Sequence, residues 1–292
     1  IAGAAKLTGK TATRTTFGLL GAVTTPENGT IDLTVTDPAT GGQRVSRKTF
    51  RLEPVTGYTV GRIQQDIGSN SNIGVLAAAL NRGNGGASYS GGIDWNLRWG
   101  GNTYEFSGQV AGTHTDRVTR RRGYATQVRL ARTTGWLTGQ VELKAYSPDF
   151  DPNDMGFLER ANLINPGVGI QLQKNRPWGP FRQMRASVSG SSVWNYRYRW
   201  SGGSHERVNL EKSIDLEGEV EWQNFWGTGV GLFHQFESLS DLETRGGPLM
   251  LNPTLTGYWV WMSSNDRYAV NGDMSVNWGS HRGGSSWQEF QA

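Results

Sequence analysis

Apolar and polar residues alternate with period two along most of the chain, most clearly from Ser88 to Arg132. In the first run there, Tyr89, Gly91, Ile93, Trp95, Leu97 and Trp99 take one parity, and Ser88, Ser90, Asp94, Asn96 and Arg98 take the other. In the second, Tyr104, Phe106 and Val110 alternate with Glu105, Ser107 and Gln109. In the third, Tyr124, Val128 and Leu130 alternate with Gln127 and Arg129. Side chains of a strand point to opposite faces in turn, so each run predicts a strand with one apolar and one polar face. Gly100-Gly101-Asn102 has the spacing of a tight hairpin between the first two.

The same rhythm appears elsewhere. Phe17, Leu19, Gly21 and Val23 share a parity, and so do Ile31, Leu33 and Val35. A polar loop from Asp37 to Arg47 precedes Phe50 and Leu52. Later come Leu137 to Ala145, Val168 to Leu172, Ile214 to Trp222, Val230 to Phe236, Leu255 to Met262 and Tyr268 to Trp278. Segments with helical period are almost absent. The expectation is an all-β fold of about 14–18 antiparallel strands in one domain, residues 1–292.

Connection lengths also alternate. Tight turns are expected at Gly100–Asn102, Thr133–Gly135, Trp226–Thr228 and Ser264–Asp266. Long loops are expected at Thr113–Arg122, Ser147–Asn162, Ser201–Val208, Glu237–Pro253 and Gly279–Ser286. Consecutive antiparallel strands place alternate connections at opposite ends, so all the turns fall at one end and all the loops at the other. That asymmetry is expected of an outer-membrane β-barrel.

Composition narrows the class. No run approaches the about 18–20 consecutive apolar residues of a transmembrane helix. A barrel strand needs apolar residues only at alternate positions, so a hydrophobic content of 36% leaves that class open. There are no cysteines, which excludes disulfides, thiolate catalysis and cysteine zinc sites. The net charge of +4 is too small to suggest nucleic acid. Ile1-Ala2-Gly3-Ala4 has no signal-peptide features, so an exported protein would start upstream of Ile1.

The carboxylates Asp215, Glu217, Glu219 and Glu221 share one strand face, which lipid would not accept. A polar lumen would be lined by Asp94, Asn96, Arg98, Glu105, Gln109, Gln127, Arg129, Asp215, Glu217, Glu219, Glu221, Asp273 and Asn277. Ile93, Trp95, Leu97, Phe106, Val128, Leu216, Val220 and Val276 would face outward. Trp99, Tyr104, Tyr124, Trp136, Tyr146, Trp200, Trp226, Tyr268 and Trp278 lie near run ends, where an interfacial aromatic girdle belongs. Aromatic residues are also simply common in strands.

Candidate chemistry is sparse. Arg117, Arg120, Arg121 and Arg122 would suit lipopolysaccharide phosphates, or form a solvated loop. Asp149, Asp151 and Asn153 are spaced like the start of a calcium loop. However, Asp154 replaces its sixth-position glycine and no glutamate closes it, so turn formation is the simpler reading. His114, His205, His234 and His281 have no ligand spacing. Glu217, Glu219 and Glu221 lack a visible partner for glycosidase work. No catalytic constellation emerges, so no enzymatic activity and no cofactor are expected.

Several segments resemble a known family. They are Gly61-Arg62-Ile63-Gln64-Gln65-Asp66-Ile67-Gly68 with Asn72-Ile73-Gly74, then Gly91 to Gly108, then Pro148-Asp149-Phe150 with Met155 to Arg160, and then Glu243 to Pro248. In this order they resemble the domain-of-unknown-function family numbered five-nine-one-six, from bacterial envelope proteins. The resemblance implies an outer-membrane barrel following a carbohydrate-binding-like module. That module is absent here, and Glu289-Phe290-Gln291-Ala292 lacks the usual terminal aromatic. Both departures are those expected of a fragment.

Three readings follow. One is an outer-membrane barrel with a polar lumen, acting as pore, anchor or scaffold, with the lipid bilayer and lipopolysaccharide as partners. The second is a soluble glycan-binding or glycan-cleaving β protein, with tryptophan platforms for a carbohydrate ligand. The third is a structural subunit of a larger membrane assembly.

Overall fold

The structure is a computed structural model and describes residues 1–36, 42–83, 85–116, 120–200, 203–245 and 247–292. The chain begins with β1 (Gly3–Lys10), β2 (Thr15–Thr24), β3 (Glu27–Thr36), β4 (Gln43–Glu53), β5 (Thr56–Ile67), β6 (Ser71–Arg82) and β7 (Ala87–Trp99). It continues with β8 (Tyr104–Asp116), β9 (Arg120–Arg132), β10 (Leu137–Tyr146), β11 (Leu163–Lys174) and β12 (Phe181–Trp194). The hairpin β13 (Arg197–Trp200) and β14 (Gly203–Glu206) precedes β15 (Asn209–Trp222) and β16 (Gly227–Gln235). The hairpin β17 (Ser238–Ser240) and β18 (Met250–Asn252) precedes β19 (Leu255–Ser263), β20 (Asp273–His281) and β21 (Ser286–Gln291).

Fifteen strands form one antiparallel sheet in the order β1-β2-β5-β6-β7-β8-β9-β10-β11-β12-β15-β16-β19-β20-β21. Three separate hairpins, β3–β4, β13–β14 and β17–β18, extend its connections. In the first of them Arg47 donates to Asp32 at 2.8 and 3.1 Å and holds that carboxyl below its ordinary range.

The connections sort largely as their lengths predict, except that residues 264–272 make the expected turn Ser264–Asp266 a long connection and the expected strand Tyr268–Trp278 begins only at Asp273. The four expected turn sites all lie at one end of the sheet, because each joins an odd-placed strand of that order to the next. Ser147–Asn162 and all three hairpin-bearing connections lie at the other end. Details differ. Strands β8 and β9 reach Asp116 and Arg120, so Thr113–Arg122 is mostly strand, and residues 117–119 lie outside the described ones. β20 runs to His281, which shortens the expected loop Gly279–Ser286. β16 begins at Gly227, which moves the turn from Trp226–Thr228 to residues 223–226. From Gln43 on, the expected loop Asp37–Arg47 is β4, with residues 37–41 outside the described ones, as are residues 201–202 of the expected loop Ser201–Val208.

The closed barrel is corrected. Among the described residues β1 and β21 pair with one neighbour each and not with one another, so the sheet is open. Strand parity is the reason direct closure is not simple. Fifteen alternating strands leave β1 and β21 running the same way, so joining them would need a parallel pair.

The two faces have opposite characters. One apolar row crosses six strands in register, Ile170–Val188–Leu216–Leu232–Tyr258–Trp278. Another crosses four, Ile63–Val75–Ile93–Val110. These side chains are uncovered: Ile93 is 51% exposed, Leu216 43% and Val230 55%. On the polar face Glu105 is only 6% exposed and Thr113 7%. A water-soluble sheet protein buries its apolar face, and this sheet leaves its apolar face uncovered. No helix among the described residues is long and apolar enough to cross a membrane, a criterion that says nothing of strands.

Candidate functional site

Every residue expected to line a lumen lies on the polar parity, but in two groups separated by β10 and β11. The first group is on β7, β8 and β9. Glu105 accepts from Arg98 at 2.6 Å, from Arg129 at 2.8 Å and from Ser107 at 3.1 Å. Arg129 also donates to Gln140 at 2.7 Å, and Arg98 to Asn96 at 3.1 Å. Gln109 and Gln127 stand opposite one another. Asp94 takes both guanidinium nitrogens of Arg62 at 2.8 Å, across the intervening strand β6. That crossing needs Gly74, where a Cβ would fall 2.8 Å from Asp94.

The second group is the carboxylate column of β15. Arg185 donates to Glu219 at 3.2 Å, and Arg182 and Gln183 donate to Glu221, the latter at 2.7 Å. Ser187 lies 3.4 Å from Glu217. Asp215 stands between Ser189 and Phe233. Asp273 borders the turn end of this strip, and Asn277 stands opposite Trp259. Exposed pairs of this kind stabilise by only about 0.2–1 kcal/mol each. Their main effect is to satisfy charges on a face that excludes bulk water in places, above all at Glu105.

A connection, not a strand, completes the site. Residues 147–162 fold back over the polar face at the long-loop end. Ser147 accepts from the Tyr124 amide at 2.9 Å, and Thr113 accepts from the Asp151 amide at 3.1 Å. Phe150 is buried against Gly123 and stacks on Tyr146 at 6.0 Å. Asp154 pairs with Arg82 at 2.6 Å and accepts from Ser88. Arg82 lies on β6, four strand spacings or about 19 Å from β10. In the other direction Arg160 meets Asp241 at 2.5 Å, in the connection before β19. This segment therefore spans the polar face from β6 to the edge of β16.

Other expectations fare unevenly. Tyr146 sits at polar parity under Phe150, not in a girdle. At the turn end Trp99 stacks with Tyr104 at 5.6 Å, and Trp136 is 67% exposed. Phe181 and Trp222 meet there at 5.0 Å. Asp151 and Asn153 are turn-formers: Asp151 accepts from the Asn153 amide, and Asn153 from the Leu158 amide. No group of three His, Cys, Asp or Glu among the described residues is placed to hold a metal. The arginine run lies on β9, not in a loop, so its members alternate faces. Arg120 lies 3.6 Å from Asp116, and Arg122 lies 3.3 Å from His114. Arg117 is outside the described residues.

Sequence reasoning missed Arg62, Arg82, Gly123 and Asp154. Their partners lie far along the chain, where strand periodicity carries no information. Gly123 inside a strand was the available signal, since an in-strand glycine often marks close approach of another backbone.

A family model described as Domain of unknown function (DUF5916) matches residues 1–291. No curated protein and no solved structure matches the chain.

Proposed function

Since the chain belongs to the DUF5916 family, a domain of unknown function, its role has to be argued from its own geometry, and we propose a membrane-spanning β-barrel wall of the bacterial outer membrane. In this reading the polar face lines a water-filled lumen, and the protein acts as a pore narrowed by residues 147–162. One observation carries it: the sheet exposes a continuous apolar face while burying part of its polar face. In water so large an apolar surface would aggregate, whereas in lipid it needs no cover. The outward aromatics at the turn end would mark one interface. Arg120 and Arg122, at the other end and on the apolar parity, would meet lipopolysaccharide phosphates.

Within a bilayer the edges β1 and β21 must be joined, because unpaired backbone groups there cost several kcal/mol each. A parallel β1–β21 pair would do this, and so would one further strand antiparallel to both.

The same open edges support a second reading, a structural subunit whose neighbours supply the closing strands. Gel migration separates the two. A lone pore, extracted in detergent, should run as a compact band that shifts on boiling, and should conduct ions in planar bilayers. A subunit should show the shift only when other chains co-purify. A protein that stays in the aqueous phase and shows no heat-dependent shift contradicts both.

A further inference from the structure

On strands β16, β19 and β21 four aromatic side chains stand on the polar face instead of the apolar one. Phe233 is in register with Asp215, Trp259 with Asn277, and Trp261 with Ser275, while Trp287 is in register with Gly279. Each ring lies over a glycine of a neighbouring strand. A Cβ at Gly231 would fall 2.1 Å from the Trp259 ring, and one at Gly229 2.2 Å from Nε1 of Trp261. A Cβ at Gly257 would fall 2.8 Å from Phe233, and one at Gly279 2.9 Å from Trp287. The missing side chains let the rings lie down on the sheet, and all four stay partly exposed on their other side.

The strip beside these rings is polar and mixed in charge. Across β16 from the indoles stand Glu217 and Glu219, in register with Gly231 and Gly229. Arg185 and Arg182 pair with the carboxylates of Glu219 and Glu221. A cleft of about 680 Å³ opens at its turn end, bordered by Arg182, Arg185, Glu221 and Trp261.

We propose that this strip is a binding track for a neutral oligosaccharide built of hexopyranose units. A pyranose ring presents C–H bonds on its faces, which suit the electron-rich face of an indole. Its rim carries hydroxyls, each both donor and acceptor, which need carboxylates and guanidinium or amide donors side by side. A polycation would be opposed by Arg182, Arg185 and the nearby Arg267, and a polyanion by Asp215, Glu217 and Glu219. The track deepens the pore reading and rests on its wetted polar face, but not on closure of the sheet.

Saturation-transfer NMR on the detergent-extracted chain tests it, with cellohexaose and maltohexaose as probes. At least one sugar should receive saturation at its ring C–H protons. Trp259→Ala/Trp261→Ala should weaken that binding about tenfold, the scale of losing aromatic contacts. Trp136→Ala, at the turn end, should leave it unchanged. Trp259→Phe/Trp261→Phe keeps a ring over each glycine and should weaken binding less, and it decides the matter if the alanine variant does not fold. No transfer to either sugar from folded protein overturns the proposal, as does binding of hexalysine in their place. Undiminished binding in the folded alanine variant, or in the phenylalanine variant when it alone folds, does the same. Failure of the membrane reading shows separately, as loss of the heat-dependent gel shift with sugar binding intact.

Discussion

Leu216→Arg should destabilise the protein in lipid vesicles by about 2–4 kcal/mol, the cost of a cation near the bilayer midplane on a lipid-facing strand. Leu216 is at the centre of β15, flanked in register by Val188 and Leu232, and 43% exposed. Ser187→Arg, one residue from Val188 but on the polar face, should change stability by no more than about 0.5 kcal/mol. Its guanidinium would meet Glu217, whose carboxylate already lies 3.4 Å from Ser187 Oγ. Denaturant titration of both variants in vesicles, read by the heat-dependent gel shift, gives the comparison. In a water-exposed sheet the difference would vanish, because an arginine on an exposed apolar patch is harmless. Equal or reversed sensitivity of the two positions would rule out a lipid-facing apolar face.

Gly123→Ala should release the segment that crosses the polar face. A Cβ there would fall 2.1 Å from the Phe150 amide nitrogen and 2.2 Å from its Cα, so backbone must move. β9 is held by β8 on one side and β10 on the other, so residues 147–162 yield. The contacts of Ser147, Asp151 and Asp154 with Tyr124, Thr113 and Arg82 then weaken together, at a cost of about 1–3 kcal/mol. Trypsin should cut after Arg160 much faster in this variant than in the parent, and pore conductance should rise. Gly112→Ala is the control, since its Cβ would meet nothing closer than the Gly123 carbonyl at 3.7 Å. Unchanged cleavage and conductance in Gly123→Ala would show that the segment does not depend on this contact.

Much of this architecture could be read before any coordinates. Period-two alternation placed the expected lumen residues from Asp94 to Asn277 on one face of the sheet, because one misplaced residue inverts every side chain of a strand. The sorting of turns and loops to opposite ends followed from antiparallel order alone. What failed was long-range. Tyr146 looks like a girdle residue by its place at the end of a run, yet its parity with Glu142 and Lys144 puts it under Phe150. The Arg82–Asp154 and Arg160–Asp241 pairs join residues far apart in the chain, which no local pattern encodes. Strand ends were misjudged where polar residues continue a strand, as at Thr115, Asp116, Arg120 and Arg121. Closure was assumed from the class, whereas the count of strands, and with it the parallel relation of β1 and β21, emerges only from the assembled sheet.

Which face meets lipid is the question on which the rest depends, and the absence of cysteines makes it accessible. Single cysteines at successive positions from Asp215 to Val220 on β15 can each carry a nitroxide, in protein reconstituted into vesicles. Collision rates with oxygen, which concentrates in the bilayer, and with a polar nickel chelate, which stays in water, then report the environment of each position. Oxygen should dominate at Leu216, Gly218 and Val220, and the chelate at Asp215, Glu217 and Glu219, with strict alternation. Chelate access at Leu216, Gly218 and Val220, or the same environment along the whole strand, would contradict a lipid-facing apolar surface.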